Sequence, residues 1–146
     1  MNFDKYTIRA QEAVQAAVQS AQLGRQQSVE PLHLLKGIME KGKDTLNFIF
    51  QKLGANAHGV EIALQNELQH LPKVDGGQPY FSNETTQVFN QAESISQQWG
   101  DEFVSIEPLL IAIMKGNNTA GRILKDAGCT EDGMRKAIEE LRQGQQ

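Results

Sequence analysis

The sequence predicts an all-α protein of eight helices, arranged as two tandem four-helix repeats about a pseudo-twofold axis. Three observations predict it. The stretch Val29-Glu30-Pro31-Leu32-His33-Leu34-Leu35-Lys36-Gly37-Ile38-Met39 recurs 75 positions later as Val104-Ser105-Ile106-Glu107-Pro108-Leu109-Leu110-Ile111-Ala112-Ile113-Met114. A repeat of this kind fixes architecture before any single residue is interpreted. Elsewhere the apolar residues recur every three or four positions, the helical period. No segment shows a convincing strand alternation.

The register runs through most of the chain. Tyr6-Thr7 falls on Phe81-Ser82, Ala13-Val14 on Val88-Phe89, and Ala17 on Ala92. Beyond Met39 the offset becomes 74, placing Ile49-Phe50 on Ile123-Leu124, Gly54 on Gly128, Gly59 on Gly133 and Ala63-Leu64 on Ala137-Ile138. Repeat one is expected over about 4–71, a connector over 72–80, repeat two over about 81–142, and the start of a linker over 143–146. Four short helices with one apolar stripe each cannot close a large core, so the two copies are expected to share one.

Each element has its own signals. Ala10, Ala13, Val14, Ala17, Val18 and Ala21 form the stripe of a first helix, with Thr7 as its cap and Gly24 at its end. Pro31 suits the first turn of a second helix, which runs to the Gly42 region. Asp44 is expected to cap a third, carrying Leu46, Ile49, Phe50 and Leu53 and closed by Gly54. Asn56 is expected to cap a fourth, carrying Val60, Ala63, Leu64, Leu68 and Leu71. The breaker-rich Pro72-Lys73-Val74-Asp75-Gly76-Gly77-Gln78-Pro79 reads as the connector. Repeat two follows the same plan. One helix ends near Gly100, one begins at Ser105 or Ile106, one stops at Gly128, and one starts from Thr130. Arg142 to Gln146 reads as a tail.

Composition bounds the function. The 146 residues suit one domain, and 39% hydrophobic with 22% charged residues is ordinary for a globular protein. A net charge of −4 argues against a nucleic-acid surface, and no apolar run approaches the ~20 residues of a membrane span. The single Cys129 excludes an internal disulfide framework. Met1-Asn2-Phe3-Asp4-Lys5 lacks the basic-then-apolar plan of a signal peptide, so a cytoplasmic location is expected.

Chemical motifs are sparse. Gly37-Ile38-Met39-Glu40-Lys41-Gly42-Lys43 has the spacing of a phosphate-binding loop, but Asp44 stands where Ser or Thr should hold magnesium. No strand precedes it, so a helix C-terminus with solvated lysines is the better account. His33, His58 and His70 share no metal-ligand spacing with each other or with Cys129. His33 reads as a packed or capping side chain and Cys129 as a small buried one. No catalytic or metal-binding constellation is apparent, and the chain reads as a binding module rather than an enzyme.

The duplicated pattern resembles the N-terminal domain of the Clp chaperone ATPases, across essentially all 146 residues. The residues that carry the resemblance are Thr7 with Gln11-Glu12-Ala13, Glu30-Pro31-Leu32-His33-Leu34-Leu35, Gly54, Leu71-Pro72-Lys73-Val74-Asp75-Gly76, and Gly100-Asp101-Glu102-Phe103-Val104-Ser105. The Glu-Pro-Leu-His-Leu segment and the Leu-Pro-x-Val connector are most similar to the ClpB-type disaggregases. The resemblance implies a mobile domain in front of ATPase modules, engaging unfolded or aggregated proteins and acting beside a homohexameric ring. A co-chaperone acting on the full-length protein is a further implied partner; nucleic acid and membrane are not. No cofactor is implied for this domain, since ATP and magnesium belong to the parent's ATPase modules. Thr7, Asp101 and Glu107 match the family's functional positions, with Ile95, Phe103, Pro108 and Leu109 expected to line part of a shallow apolar groove beside them. Such a groove with an acidic rim holds many extended sequences weakly. The same residues also suit plainer roles: Phe103 and Leu109 as core, Thr7 and Asp101 as helix caps. The alternative is a ClpC-type domain that docks adaptors or recognises phosphoarginine through an acid in each repeat. At the 75-residue offset Glu107 faces Leu32, so the second acid is missing.

Overall fold

The computed structural model describes residues 2–144. Eight helices account for most of them. Repeat one contributes α1 (Ile8–Leu23), α2 (Pro31–Lys41), α3 (Lys43–Leu53) and α4 (Ala57–Gln69). Repeat two contributes α5 (Asn83–Gln98), α6 (Ile106–Lys115), α7 (Thr119–Asp126) and α8 (Glu131–Gln143). Two-residue strands β1 (Ser28–Val29) and β2 (Tyr80–Phe81) precede α2 and α5. The sequence showed no strand because two residues are too few to display an alternation.

Caps recur at the repeat offset. The Thr7 hydroxyl accepts from the Ala10 N–H at 3.1 Å, and Ser82 accepts from Thr85 at 3.1 Å. Asn56 and Thr130 do the same for Gly59 and Gly133. Gly54 and Gly128 follow α3 and α7 with φ of 65° and 107°, left-handed backbone that a Cβ would strain. Asp44 departs from expectation: Gly42 is the N-cap of α3, and Asp44 sits in its first turn, favourably placed at the positive end of the helix dipole. Leu71 lies beyond the end of α4.

The phosphate-loop spacing dissolves into helix. Gly37 lies inside α2, where a Cβ would collide with the Ala13 carbonyl oxygen of α1. Glycine is there because two helix backbones touch.

The repeats are exchanged rather than merely adjacent. Tyr6 of repeat one bridges in parallel to Val104 of repeat two, while β1 pairs in parallel with β2 across the repeats. These are the same interaction at the repeat offset, with Tyr6 answering to Phe81 and Val104 to Val29. Deeper in, α3 packs on α8 and α7 packs on α4, again one contact and its mirror. At the junction Phe3 meets Phe81 and Phe89, and Tyr6 meets Phe89, edge-to-face with centroids 5.0 to 6.2 Å apart, a favoured aromatic geometry. A single core of buried side chains runs through both copies, with Leu34, Leu35 and Ile38 of α2 and Leu109, Leu110 and Ile113 of α6 at its centre.

Candidate functional site

The entry segment Lys5-Tyr6-Thr7 runs beside Phe103-Val104-Ser105. Val104 N–H donates to the Lys5 carbonyl at 2.8 Å, and Thr7 N–H donates to the Val104 carbonyl at 2.9 Å. This pairing brings together Thr7, Phe103 and the start of α6. Phe103 is 42% exposed, with the Lys5 ammonium 5.8 Å from its ring centroid. Ile8, one residue beyond Thr7, is 77% exposed. Thr7 itself spends its hydroxyl on the α1 cap.

The expected groove wall needs correction. Ile95 is 2% exposed, Leu109 is fully buried, and Pro108 is buried in the first turn of α6. Ile95 and Leu109 belong to the shared core, because α5 and α6 turn these positions inward. Of the four apolar residues expected there, Phe103 alone reaches solvent.

The acids are also occupied. Asp101 and Glu107 converge on Arg142, which sits in α8 and not in a tail. Its guanidinium donates to Asp101 Oδ1 at 3.1 Å, to Glu107 Oε1 at 3.3 Å and to the Ser105 hydroxyl at 3.4 Å. Asp101 Oδ2, shut off from solvent, lies 3.0 Å from the same guanidinium without the alignment of a hydrogen bond. The Arg142 group also covers the Trp99 ring at 4.7 Å from its centroid, a cation–π contact. Burial alone would lower the Arg142 pKa; the hydrogen bond to Asp101 and the charges of Glu107 and Asp101 outweigh it and raise it. One guanidinium thus offsets half the charge of the two acids from within. Gln143 also belongs to α8, with Gly144 as its C-cap; the remaining linker positions, Gln145 and Gln146, lie outside the described residues.

A concavity that the sequence reading missed lies in repeat one. Its volume is about 930 Å³, between the end of α1, the outer face of α2 and α4, with Leu23, Met39, Leu64 and Leu68 as its apolar lining. Of these, Leu23 is 86% exposed and Leu64 is buried. The signal was present in the repeat register, where small or apolar residues oppose large charged or aromatic ones: Gly24 answers to Trp99, and Leu68 to Arg142.

The other titratable groups have structural roles. His33 is fully buried; its Nδ1 accepts from the Glu30 N–H at 2.9 Å, and its Nε2 lies 3.2 Å from Gln26 Oε1. Burial lowers its pKa to about 4. Cys129 is buried and its thiol is pushed up to about 11 by desolvation, which leaves it a poor nucleophile. Tyr6 donates its hydroxyl to Glu93 at 2.8 Å, and its pKa is raised by burial and by that partner. Among the described residues no group of three or more His, Cys, Asp or Glu could hold a metal ion, and no helix is long and apolar enough to cross a membrane.

Comparison with known proteins fits this architecture. Residues 5–127 match the Clp repeat (R) N-terminal domain. A chaperone protein ClpB from Bacteroides thetaiotaomicron is 48% identical over 145 residues, covering 99% of this chain and 17% of that protein. The ClpB of Porphyromonas gingivalis is 43% identical over 144 residues, with the same coverage of 99% and 17%. The chain thus spans about a sixth of the length of these curated relatives. Among solved structures, the Hsp104 N-terminal domain from Candida albicans shares the fold with a TM-score of 0.81 at 23% identity, over 95% of this chain and 92% of that one. The N-terminal domain of ClpD from Arabidopsis thaliana gives 0.73 at 22% identity, over 97% of each. The match runs from the entry segment through the connector to the end of α7, and the chain belongs to the Clp repeat N-terminal domain family.

Proposed function

We propose that the chain is the client-engaging domain of a ClpB-type disaggregase, and that it holds unfolded or aggregated polypeptide weakly at the junction of its two repeats. The observation that carries this reading is the exposure of Ile8 and Phe103, each one residue from the Thr7–Val104 hydrogen bond that joins the repeats. Apolar side chains left in water at a junction this well packed suit a shallow, promiscuous contact. Shallow contacts leave surface incompletely matched, so affinity in the micromolar range or weaker is expected. In this reading the chain is itself no enzyme. ATP and magnesium act in ATPase modules of a longer parent, a homohexameric ring in the cytoplasm on which a co-chaperone also acts. Neither nucleic acid nor membrane is a partner.

Adaptor docking or phosphoarginine recognition is the alternative. It has less support, because Leu32 is buried where a second acid would stand and Glu107 is already held by Arg142.

An amide-resonance titration with a permanently unfolded protein tests the proposal. Shifts should cluster at Thr7, Ile8, Phe103 and Val104, and Phe103→Asp should weaken binding by about tenfold, the loss of ~1.4 kcal/mol of apolar contact. Nanomolar affinity for one folded partner, with no response to unfolded protein, would replace this reading by adaptor docking.

A further inference from the structure

The two repeats treat one equivalent place in opposite ways. In repeat two, Trp99 at the end of α5 lies under Arg142 at 4.7 Å and Arg135 at 6.0 Å, both from α8. Arg142 in turn is held by Asp101. The place is filled by the chain's own aromatic ring.

The counterparts of these residues line the concavity of repeat one. Trp99 answers to Gly24, Arg142 to Leu68, Arg135 to Glu61 and Asp101 to Gln26, and all four counterparts border it. The backbone is matched closely. Gly24 and Trp99 are both C-caps, with φ/ψ of −82°/0° and −81°/−7°. The next residues, Arg25 and Gly100, both have positive φ, 62° and 74°. After them, Gln26 N–H donates to the Ala21 carbonyl at 2.8 Å as Asp101 N–H donates to Ser96 at 3.0 Å. What differs is the side chain. Repeat one lacks the ring and the arginine that packs on it, and about 930 Å³ stands open.

We infer that the concavity of repeat one is a second client-binding site, one that takes an aromatic side chain of an unfolded polypeptide in the place that Trp99 fills in repeat two. This rests on the client-engaging reading for the source of the ring. Leu64 forms the floor, Leu23 and Leu68 form apolar walls, and the Met39 thioether is suited to an aromatic edge. Charges of both signs at the rim, Lys36 and Glu40 being paired at 3.8 Å, leave the ring as the selected feature.

Titration of the domain with N-acetyl-tryptophanamide, followed by amide resonances, tests the inference. Saturable shifts are expected at Gly24, Met39, Leu64 and Leu68, with N-acetyl-leucinamide producing weaker ones. Gly24→Trp should fill the site from within once the Gln26 side chain swings aside, since a Cβ at Gly24 would meet it. Leu68→Glu should spoil the wall at a half-buried position. Each variant should retain a dispersed spectrum and bind the probe at least tenfold more weakly. Shifts confined to Ile8 and Phe103, or undiminished in both variants, would overturn the site. The two readings fail separately. Unfolded protein that binds both variants as well as it binds the parent domain removes the concavity as a client site and leaves the junction. A variant-sensitive response to the probe, with none to unfolded protein, keeps the aromatic site and removes the client.

Discussion

His33 shows how a single side chain can make the stability of this domain depend on acidity. Its Nδ1 must stay unprotonated to accept from Glu30, and burial holds its pKa near 4 against about 6.5 in an unfolded chain. Between those values the unfolded chain binds the extra proton and the folded one does not, so stability falls as pH drops from about 6.5 toward 4. The full loss is about 3 kcal/mol. Urea midpoints across that range should show the slope, and His33→Asn should flatten it. Arg142 makes a second prediction at this scale. Arg142→Ala leaves Asp101 and Glu107 facing each other without a cation, and should cost about 1–2 kcal/mol after allowance for their partial exposure. Lysine should rescue little, because one ammonium cannot reproduce the fork that reaches both acids and Ser105. The capping role of His33 was legible from its place before an apolar run. Arg142 was not, because its partners lie 41 and 35 residues away and a glutamine-rich ending resembles a tail.

Among the elements, the close approach of α1 and α2 depends on Gly37. Besides the Ala13 oxygen, a Cβ placed there would meet Ala13 C at 3.2 Å and Ala17 N at 3.3 Å. Backbone cannot yield as a side-chain tip can. Gly37→Ala should therefore destabilise the domain by about 1–3 kcal/mol, despite alanine's better helix propensity. A thermal melt would check the sign: a rise in Tm would mean that the helices can separate cheaply. Helix positions followed readily from apolar spacing and caps. Leu109 already suited a core role in the sequence, but the inward turn of Ile95 and Pro108 was harder to foresee. Spacing marks a stripe as apolar, but whether it meets core or solvent depends on which helix of the other repeat lies against it. The entry strands were invisible for a related reason, since their partners are fixed by the fold and not by neighbours in sequence.

At the scale of the molecule, the exchange of α3 with α8 and of α7 with α4 means that neither repeat encloses its own core. One cooperative urea transition is expected, reported alike by Trp99 in repeat two and by helical circular dichroism from both. Separated transitions by the two probes would show that the repeats fold independently. A peptide ending before Pro72 should correspondingly expose the apolar faces that α7 and α8 cover. The shared core was legible from the duplication itself, because one stripe per short helix cannot close a core. The open concavity does not follow from the duplication, because it is made by the positions at which the two copies differ.

The paired entry strands carry a consequence for ancestry. Lys5-Tyr6-Thr7 lies on the other copy's Val104, and Tyr80-Phe81 lies on the first copy's Val29. Removing the connector from this picture leaves two like chains, each lending its first residues to the other, which is the arrangement of a symmetric swapped homodimer. A single ancestral repeat would have had every contact needed to pair with itself. Joined in one chain, the two copies are free of the demand of symmetry, so that one can carry a tryptophan where the other has a hollow.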